Sequence, residues 1–139
     1  SALVAACNAL GVRRLGFLSP YVADVSSRLR TALSKHDVAS PVFGTFAEAE
    51  EQRVARISQQ SLKEATLDLV ERGGIDAVFL SCTNLNTLNL IAPLERATGL
   101  PILSSNLVLA WHLCWLAGVR MADGVGECRL AKTETSGID

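Results

Sequence analysis

Two rhythms of apolar and polar positions alternate along the chain. Short apolar-biased runs without polar alternation occur at 14–18, 38–46, 75–81 and 101–103. Runs of that length and texture predict parallel strands covered by helices on both faces. Between them the apolar residues recur at helical spacing. Ser1 can cap a helix over 1–10 that Gly11 stops, and Ser19-Pro20-Tyr21 turns the chain into a helix over 22–35. Pro41 inside the second run argues for an irregular start or an edge strand. The Glu-rich stretch 47–56 reads as loop mixed with a helical turn. Ser58 then caps a helix through Leu62, Ala65, Leu69 and Val70, closed by Gly73-Gly74.

After the third run a helix is expected over 87–98, kinked or divided at Pro93 and ended by Gly99. A final apolar helix spans 107–117 and stops at Gly118. Beyond Val119 the periodicity disappears, and 132–139 reads as a frayed polar tail. Strands separated by helices require right-handed crossovers. The class is therefore α/β, with a Rossmann-like or flavodoxin-like parallel sheet of about four strands and helices on both faces.

Composition narrows the function classes. With 139 residues the chain can bury a real core as one domain, and 13 basic against 14 acidic residues leave a net charge of -1. The cations are scattered rather than striped, so no nucleic-acid or anionic-membrane partner is expected. No apolar run reaches a membrane span of roughly 18 residues, and the chain reads as soluble and cytoplasmic. Cys7, Cys82, Cys114 and Cys128 fall at irregular spacings, with no Cys-x-x-Cys pair and no His at zinc-ligand spacing. No metal is expected, and free thiols fit better than disulfides. Cys7 and Cys114 sit on apolar helical stretches as small core residues, and Cys128 falls in the tail.

The chemistry collects where strands should end. Ser19-Pro20-Tyr21, Ser81-Cys82-Thr83-Asn84 and Ser104-Ser105-Asn106 would share one rim of the sheet, and ligands of such sheets bind at the carboxyl ends of strands. Helices starting just after each would aim free N–H groups at that rim and favour a carboxylate. A helix N-terminus also activates a nearby thiol, which makes Cys82 the first catalytic candidate. The competing reading is a buried small residue among helix caps, and the spacing alone leaves both open. Gly73-Gly74 precedes its strand, the wrong order for a dinucleotide site, so a nucleotide cofactor is disfavoured. His36 and His112 have no evident pairing with a cysteine.

Longer runs carry a resemblance. Ser81-Cys82-Thr83-Asn84-Leu85, then Leu94-Glu95-Arg96-Ala97-Thr98-Gly99-Leu100-Pro101 and Ser104-Ser105-Asn106 with Trp111, resemble the maleate cis-trans isomerase group of the aspartate/glutamate racemase superfamily. Arylmalonate decarboxylases and ectoine-utilization proteins of the EutA type are relatives of that group. Leu10-Gly11-Val12-Arg13-Arg14, Ser19-Pro20-Tyr21-Val22 and Arg53-Val54-Ala55-Arg56-Ile57-Ser58 are similar to it as well.

The resemblance implies two facing α/β lobes, each supplying one cysteine to opposite sides of the substrate. Residues 1–118 correspond to the second lobe and 119–139 to a tail, with Cys82 the second cysteine. Most of the first lobe, with its cysteine, would lie upstream, and 101–118 would return to pack on it. The apolar face carrying Trp111, Leu113 and Trp115 would then be left open here, which makes a homo-oligomer an expectation. The activity implied is cofactor-independent isomerisation of a small dicarboxylate, of the maleate-to-fumarate type. In it the first cysteine adds to the double bond, the central bond rotates, and Cys82 donates and retrieves a proton. The side chains of Tyr21 and Asn84, the backbone of Val22 and Thr83, and Ser81 are the candidates to grip substrate carboxylates. A racemase or decarboxylase would use similar thiols, and a noncatalytic ligand-binding or regulatory module is the reading from a different class.

Overall fold

The computed structural model describes residues 1–122 and 128–133. Ten elements follow in chain order: α1 Ala2–Leu10, β1 Arg14–Tyr21, α2 Ala23–Ser34, β2 Ala39–Glu48, α3 Glu51–Val54, α4 Gln59–Arg72, β3 Ala77–Leu80, α5 Leu88–Thr98, β4 Ile102–Ser104 and α6 Ser105–Leu116. The four strands form one sheet in the order β2-β1-β3-β4, and every pairing is parallel. α1 packs with α6 and α4 with α5, so helices cover the sheet in separate pairs.

Local sequence explains most of the boundaries. Ser1, Ser58 and Ser104 cap α1, α4 and α6 by accepting from the amides of Val4, Ser61 and Leu107. Gly11 and Gly99 end α1 and α5 in the left-handed conformation, with φ of 68° and 73°, where a Cβ would be strained. Pro93 does not divide α5, because a helix that loses one internal bond still keeps its buried Ile91, Leu94 and Glu95 in place.

β3 is buried along its whole length, as its unbroken apolar run requires, and Phe17 sits at the centre of the core. Its ring meets Phe79 edge-on at 5.4 Å and Phe43 at 6.2 Å, between centroids. β2 is an edge strand, where Pro41 costs no ladder bond on its open side. Arg30 of α2 guards that edge by donating to the hydroxyl and the carbonyl of Ser40 while lying 4.7 Å over the Phe43 ring.

Three expectations need correction. β1 does not stop at residue 18 but runs on to Tyr21, so Ser19-Pro20-Tyr21 is strand and not turn. The reason is a bulge: Ser19 pairs with Thr45 but Tyr21 pairs with Glu48, and Pro20 sits where the interrupted ladder asks for no N–H. Conversely, β3 is shorter than 75–81. The third correction concerns the tail. Cys128 and Leu130 are buried in the core, the amide of Arg129 donates to Glu95, and the Trp111 indole donates to Thr133. Residues 134–139 lie outside the described residues.

Residues 101–118 are built into this lobe: β4 pairs with β3, and α6 packs on α1 and β4. Only the outward face of α6 is open. It presents Leu109, Leu113 and Leu116, each at least half exposed, while Trp111 is buried. Among the described residues no helix is long and apolar enough to cross a membrane.

Candidate active site

The strand order decides where a ligand can sit. From β1 the chain goes outward to β2, while β3 lies on the other side of β1 and leads to β4. The order therefore reverses between β1 and β3, and in an open parallel sheet the crevice beyond the carboxyl ends at such a reversal is the usual ligand site. Tyr21 ends β1 and Cys82 follows β3, so the two residues face each other across that crevice. Their side chains touch: the Tyr21 hydroxyl lies 3.2 Å from Cys82 Sγ. The amide of Asn84 also donates to that sulfur, at 3.3 Å. Cys82 is 7 % exposed, so a thiol with two polar neighbours is held almost out of water.

Loop 81–87 is anchored at several points. The Ser81 amide donates to Leu18 of β1, extending the ladder one residue past β3, and the Cys82 amide donates to Leu80 in a tight turn. Asn106, in the first turn of α6, donates its side-chain amide to the Thr83 carbonyl at 2.9 Å. Leu85 and Thr87 are buried while Thr83, Asn84 and Asn86 face outward, so the loop grips the core with alternate residues. Between the loop and α6 lies a cavity of about 310 Å³, walled by Leu85, Leu88, Leu107, Ala110 and Met121 together with Asn86, Thr87, Ser104 and Asn106; Cys82 and Tyr21 are not in its lining.

The six sequence-derived candidates are not equally placed. Tyr21, Cys82 and Asn84 come together, the last through its backbone. Thr83 joins through Asn106, and Ser81 is used by the β1 backbone. Val22 is the N-cap residue of α2, without a side-chain capping bond, and Asp24 stands in the first turn of that helix. That carboxylate suits the helix dipole and opposes a second anion at the same end. The helix expected over 87–98 is α5, Leu88–Thr98 with Thr87 as its N-cap residue, so loop residues 83–87 separate Cys82 from its first turn.

Two neighbours, Ser26 and Thr45, carry no signal in the sequence, and Ser19 stands out there only as part of the 19–21 triplet. Ser19 is 1 % exposed; its hydroxyl accepts from the Tyr21 amide at 3.2 Å and from the Ser26 hydroxyl at 2.7 Å. Thr45 donates its hydroxyl to the Tyr21 carbonyl and accepts from the Ala47 amide. Ser26 lies mid-helix and Thr45 on an edge strand, positions with no motif to flag them. The remaining thiols differ from Cys82 in surroundings. Burial pushes Cys7 up to about 11, partly offset by the Arg13 guanidinium, and burial likewise raises Cys128, with the Glu95 carboxylate adding to the rise. No group of His, Cys, Asp and Glu able to hold a metal occurs among the described residues.

Sequence and structure comparisons converge on one family. The arylmalonate decarboxylase family profile matches residues 1–130. The chain belongs to the arylmalonate decarboxylase family. A curated relative, the arylmalonate decarboxylase of Bordetella bronchiseptica, is 29% identical over 119 residues, covering 85% of this chain and 50% of its own. The chain thus spans half the length of that relative. A crystal structure of arylmalonate decarboxylase superposes with a TM-score of 0.81 at 27% identity, covering 96% of this chain and 58% of that one.

The same fold recurs in maleate isomerases. A cysteine-to-serine mutant of the Nocardia farcinica maleate cis-trans isomerase, carrying a covalently bound succinylcysteine intermediate, superposes with a TM-score of 0.86 at 21% identity, over 96% of this chain and 54% of that chain. This chain has the α/β fold of one lobe of both the decarboxylase and the isomerase structures.

Proposed function

We propose that Cys82 is the proton-handling thiol of an enzyme acting on a small carboxylic acid, with no cofactor. The observation that carries this reading is the convergence of the Tyr21 hydroxyl and the Asn84 amide on Cys82 Sγ at the reversal of strand order. Two donors beside a nearly dry sulfur can hold a thiolate after its proton has left, which is what a general acid needs. The outward-facing side chain of Asn84, with Thr83 and Ser81 on the same loop, supplies polar groups for the acid's oxygens. The complete reaction belongs to a protein of the relatives' full length.

In the decarboxylase form of this reading, the bond between the α-carbon and one carboxylate breaks and carbon dioxide leaves. The electron pair stays on the α-carbon, conjugated with the remaining acid group. Cys82 then gives its thiol proton to that carbon, and the thiolate regains a proton from water. Membership of the arylmalonate decarboxylase family favours an acid bearing an apolar substituent, as an arylmalonate does, over a bare dicarboxylate. Maleate-to-fumarate isomerisation is the second reading, carried by the Ser81-Cys82-Thr83-Asn84-Leu85 motif.

Phenylmalonate decarboxylation and maleate conversion, each measured for the full-length protein and for Cys82→Ser, separate the possibilities. Loss of a positioned acid should lower kcat by about 10²–10⁴-fold on the true substrate. Equal rates for the two proteins would refute the role of Cys82, and turnover of maleate alone would favour isomerisation.

A further inference from the structure

Tyr21 reaches Cys82 from an irregular piece of backbone, which raises the question of what holds it there. Pro20 has no N–H, and β2 carries one extra residue opposite the Ser19-to-Tyr21 step, so the ladder is interrupted there before Tyr21 pairs with Glu48. Ala47, just across from it, adopts a φ of 51°, unusual for a residue with a Cβ. Hydroxyl groups take over where the ladder is broken. The Ser19 hydroxyl accepts from the Tyr21 amide, and the Ser26 hydroxyl, from α2, donates to Ser19. On the other side, Thr45 donates to the Tyr21 carbonyl and accepts from the Ala47 amide. Both backbone groups of Tyr21 are thereby tied to hydroxyls, the amide to Ser19 of its own strand, itself held by Ser26 of α2, and the carbonyl to Thr45 of β2, with Ser19 and Ser26 buried.

We propose that Thr45 and the Ser19–Ser26 pair form a hydroxyl frame that positions Tyr21, and that this frame sets the contact between the tyrosine and Cys82. These are positioning residues, since none of them touches the sulfur. The proposal rests on reading Cys82 as the working thiol and adds to it how its hydroxyl partner is aimed. Thr45 is also on the edge strand, so the frame links the least protected strand to the reacting group.

The experiment reads the thiol directly and needs no turnover. Alkylation of Cys82 by iodoacetamide, followed by peptide mass spectrometry across a pH series, is measured for the wild type, Tyr21→Phe, Thr45→Val, Thr45→Ser, Ser26→Ala and the Tyr21→Phe/Thr45→Val pair. Tyr21→Phe should change the rate about tenfold, as loss of a hydrogen bond to a charged group does. Thr45→Val and Ser26→Ala should change it in the same direction, by about threefold, and should move the pH profile as Tyr21→Phe does. Thr45→Ser should restore the wild-type profile. The double variant should match Tyr21→Phe alone, because the frame acts only through the tyrosine.

Wild-type rates and profiles in both Thr45→Val and Ser26→Ala would overturn the proposal, as would effects of Thr45→Val and Tyr21→Phe that multiply. Should Thr45→Val unfold, Ser26→Ala combined with Tyr21→Phe decides by the same criterion. Turnover by Cys82→Ser tests the catalytic reading separately, so the two failures are distinguishable.

Discussion

Among the described residues Glu95 is the one charged side chain that is buried, 6 % exposed, and it has a specific task. One carboxylate oxygen accepts from the Ile102 amide at 3.0 Å, and the other accepts from the Arg129 amide at 2.9 Å. It therefore clasps the first residue of β4 and the chain segment that carries Cys128 and Leu130 onto α5. Removing it leaves two amides without their acceptor. The Ile102 amide is fully buried, and stranding it should cost about 2–3 kcal/mol, while the partly buried Arg129 amide can reach water at about 1 kcal/mol. Relief of the buried charge offsets part of this, so a net loss of about 2–4 kcal/mol is expected.

Glu95→Met tests this most cleanly, because it keeps the packing and deletes only the acceptors. Urea unfolding should show that loss, with Glu95→Gln intermediate because its amide group can satisfy only one of the two donors. Hydrogen exchange should speed at the Ile102 and Arg129 amides before the rest of the core. A loss under about 1 kcal/mol in Glu95→Met, or unchanged exchange at both amides, would refute the reasoning, since the cost of stranding a buried amide would then be missing. The consequence reaches the candidate site: Ser104 of β4 pairs with Leu80, two residues before Cys82, so a looser β4 should also loosen the cysteine loop.

Other expectations follow from the same structure. Cys7 is raised to about 11 from an ordinary 9.0, so its neutral form is favoured by the fold. That contribution is complete below pH 9.0, is lost as pH rises toward 11, and amounts to about 2–3 kcal/mol; Cys7→Ala should show a flatter stability profile over that window in pH-dependent unfolding. In the folded protein Cys7 and Cys128 should resist iodoacetamide while the partly exposed Cys114 reacts, and equal labelling of all of them would contradict their burial. A Cβ on Gly16 would meet Ile75 Cδ1 at 2.8 Å, so Gly16→Ala should cost about 1 kcal/mol in thermal or urea unfolding, and a stabilised variant would show that Ile75 yields freely. Phe17→Ala, which empties the centre of the core between Phe43 and Phe79, should cost about 3–5 kcal/mol.

How far the chain could be read in advance depended on which force shapes each part. The strands were legible because a parallel strand buried on both faces must be apolar throughout, and β3 is. Helix ends were legible where one side chain or one glycine decides them, as at Ser1, Gly11, Ser58 and Gly99. What escaped is held by pairs distant in sequence. The 128–133 segment has no periodicity to announce it, since it is docked by a carboxylate 34 residues away and by the Trp111 indole. Ser26 and Thr45 are ordinary at their own positions and acquire meaning only opposite Ser19 and Tyr21.

The candidate site divides along the same line. Strand ends rich in small polar residues identify a rim, because ladders stop there and free backbone groups begin. They do not say which strand ends are neighbours. That Tyr21 stands beside Cys82 requires β1 to lie next to β3 while the chain connects β1 first to β2, a fact about order in the sheet and not about any local pattern. It also requires β1 to continue past residue 18, which a bulge on the partner strand permits and Pro20 alone would argue against. The cysteine could be nominated from its own segment, but its hydroxyl partner is supplied by topology. Residues that tune such a thiol are accordingly to be sought on the adjacent strand across the reversal of order, before the helix that follows the cysteine in sequence.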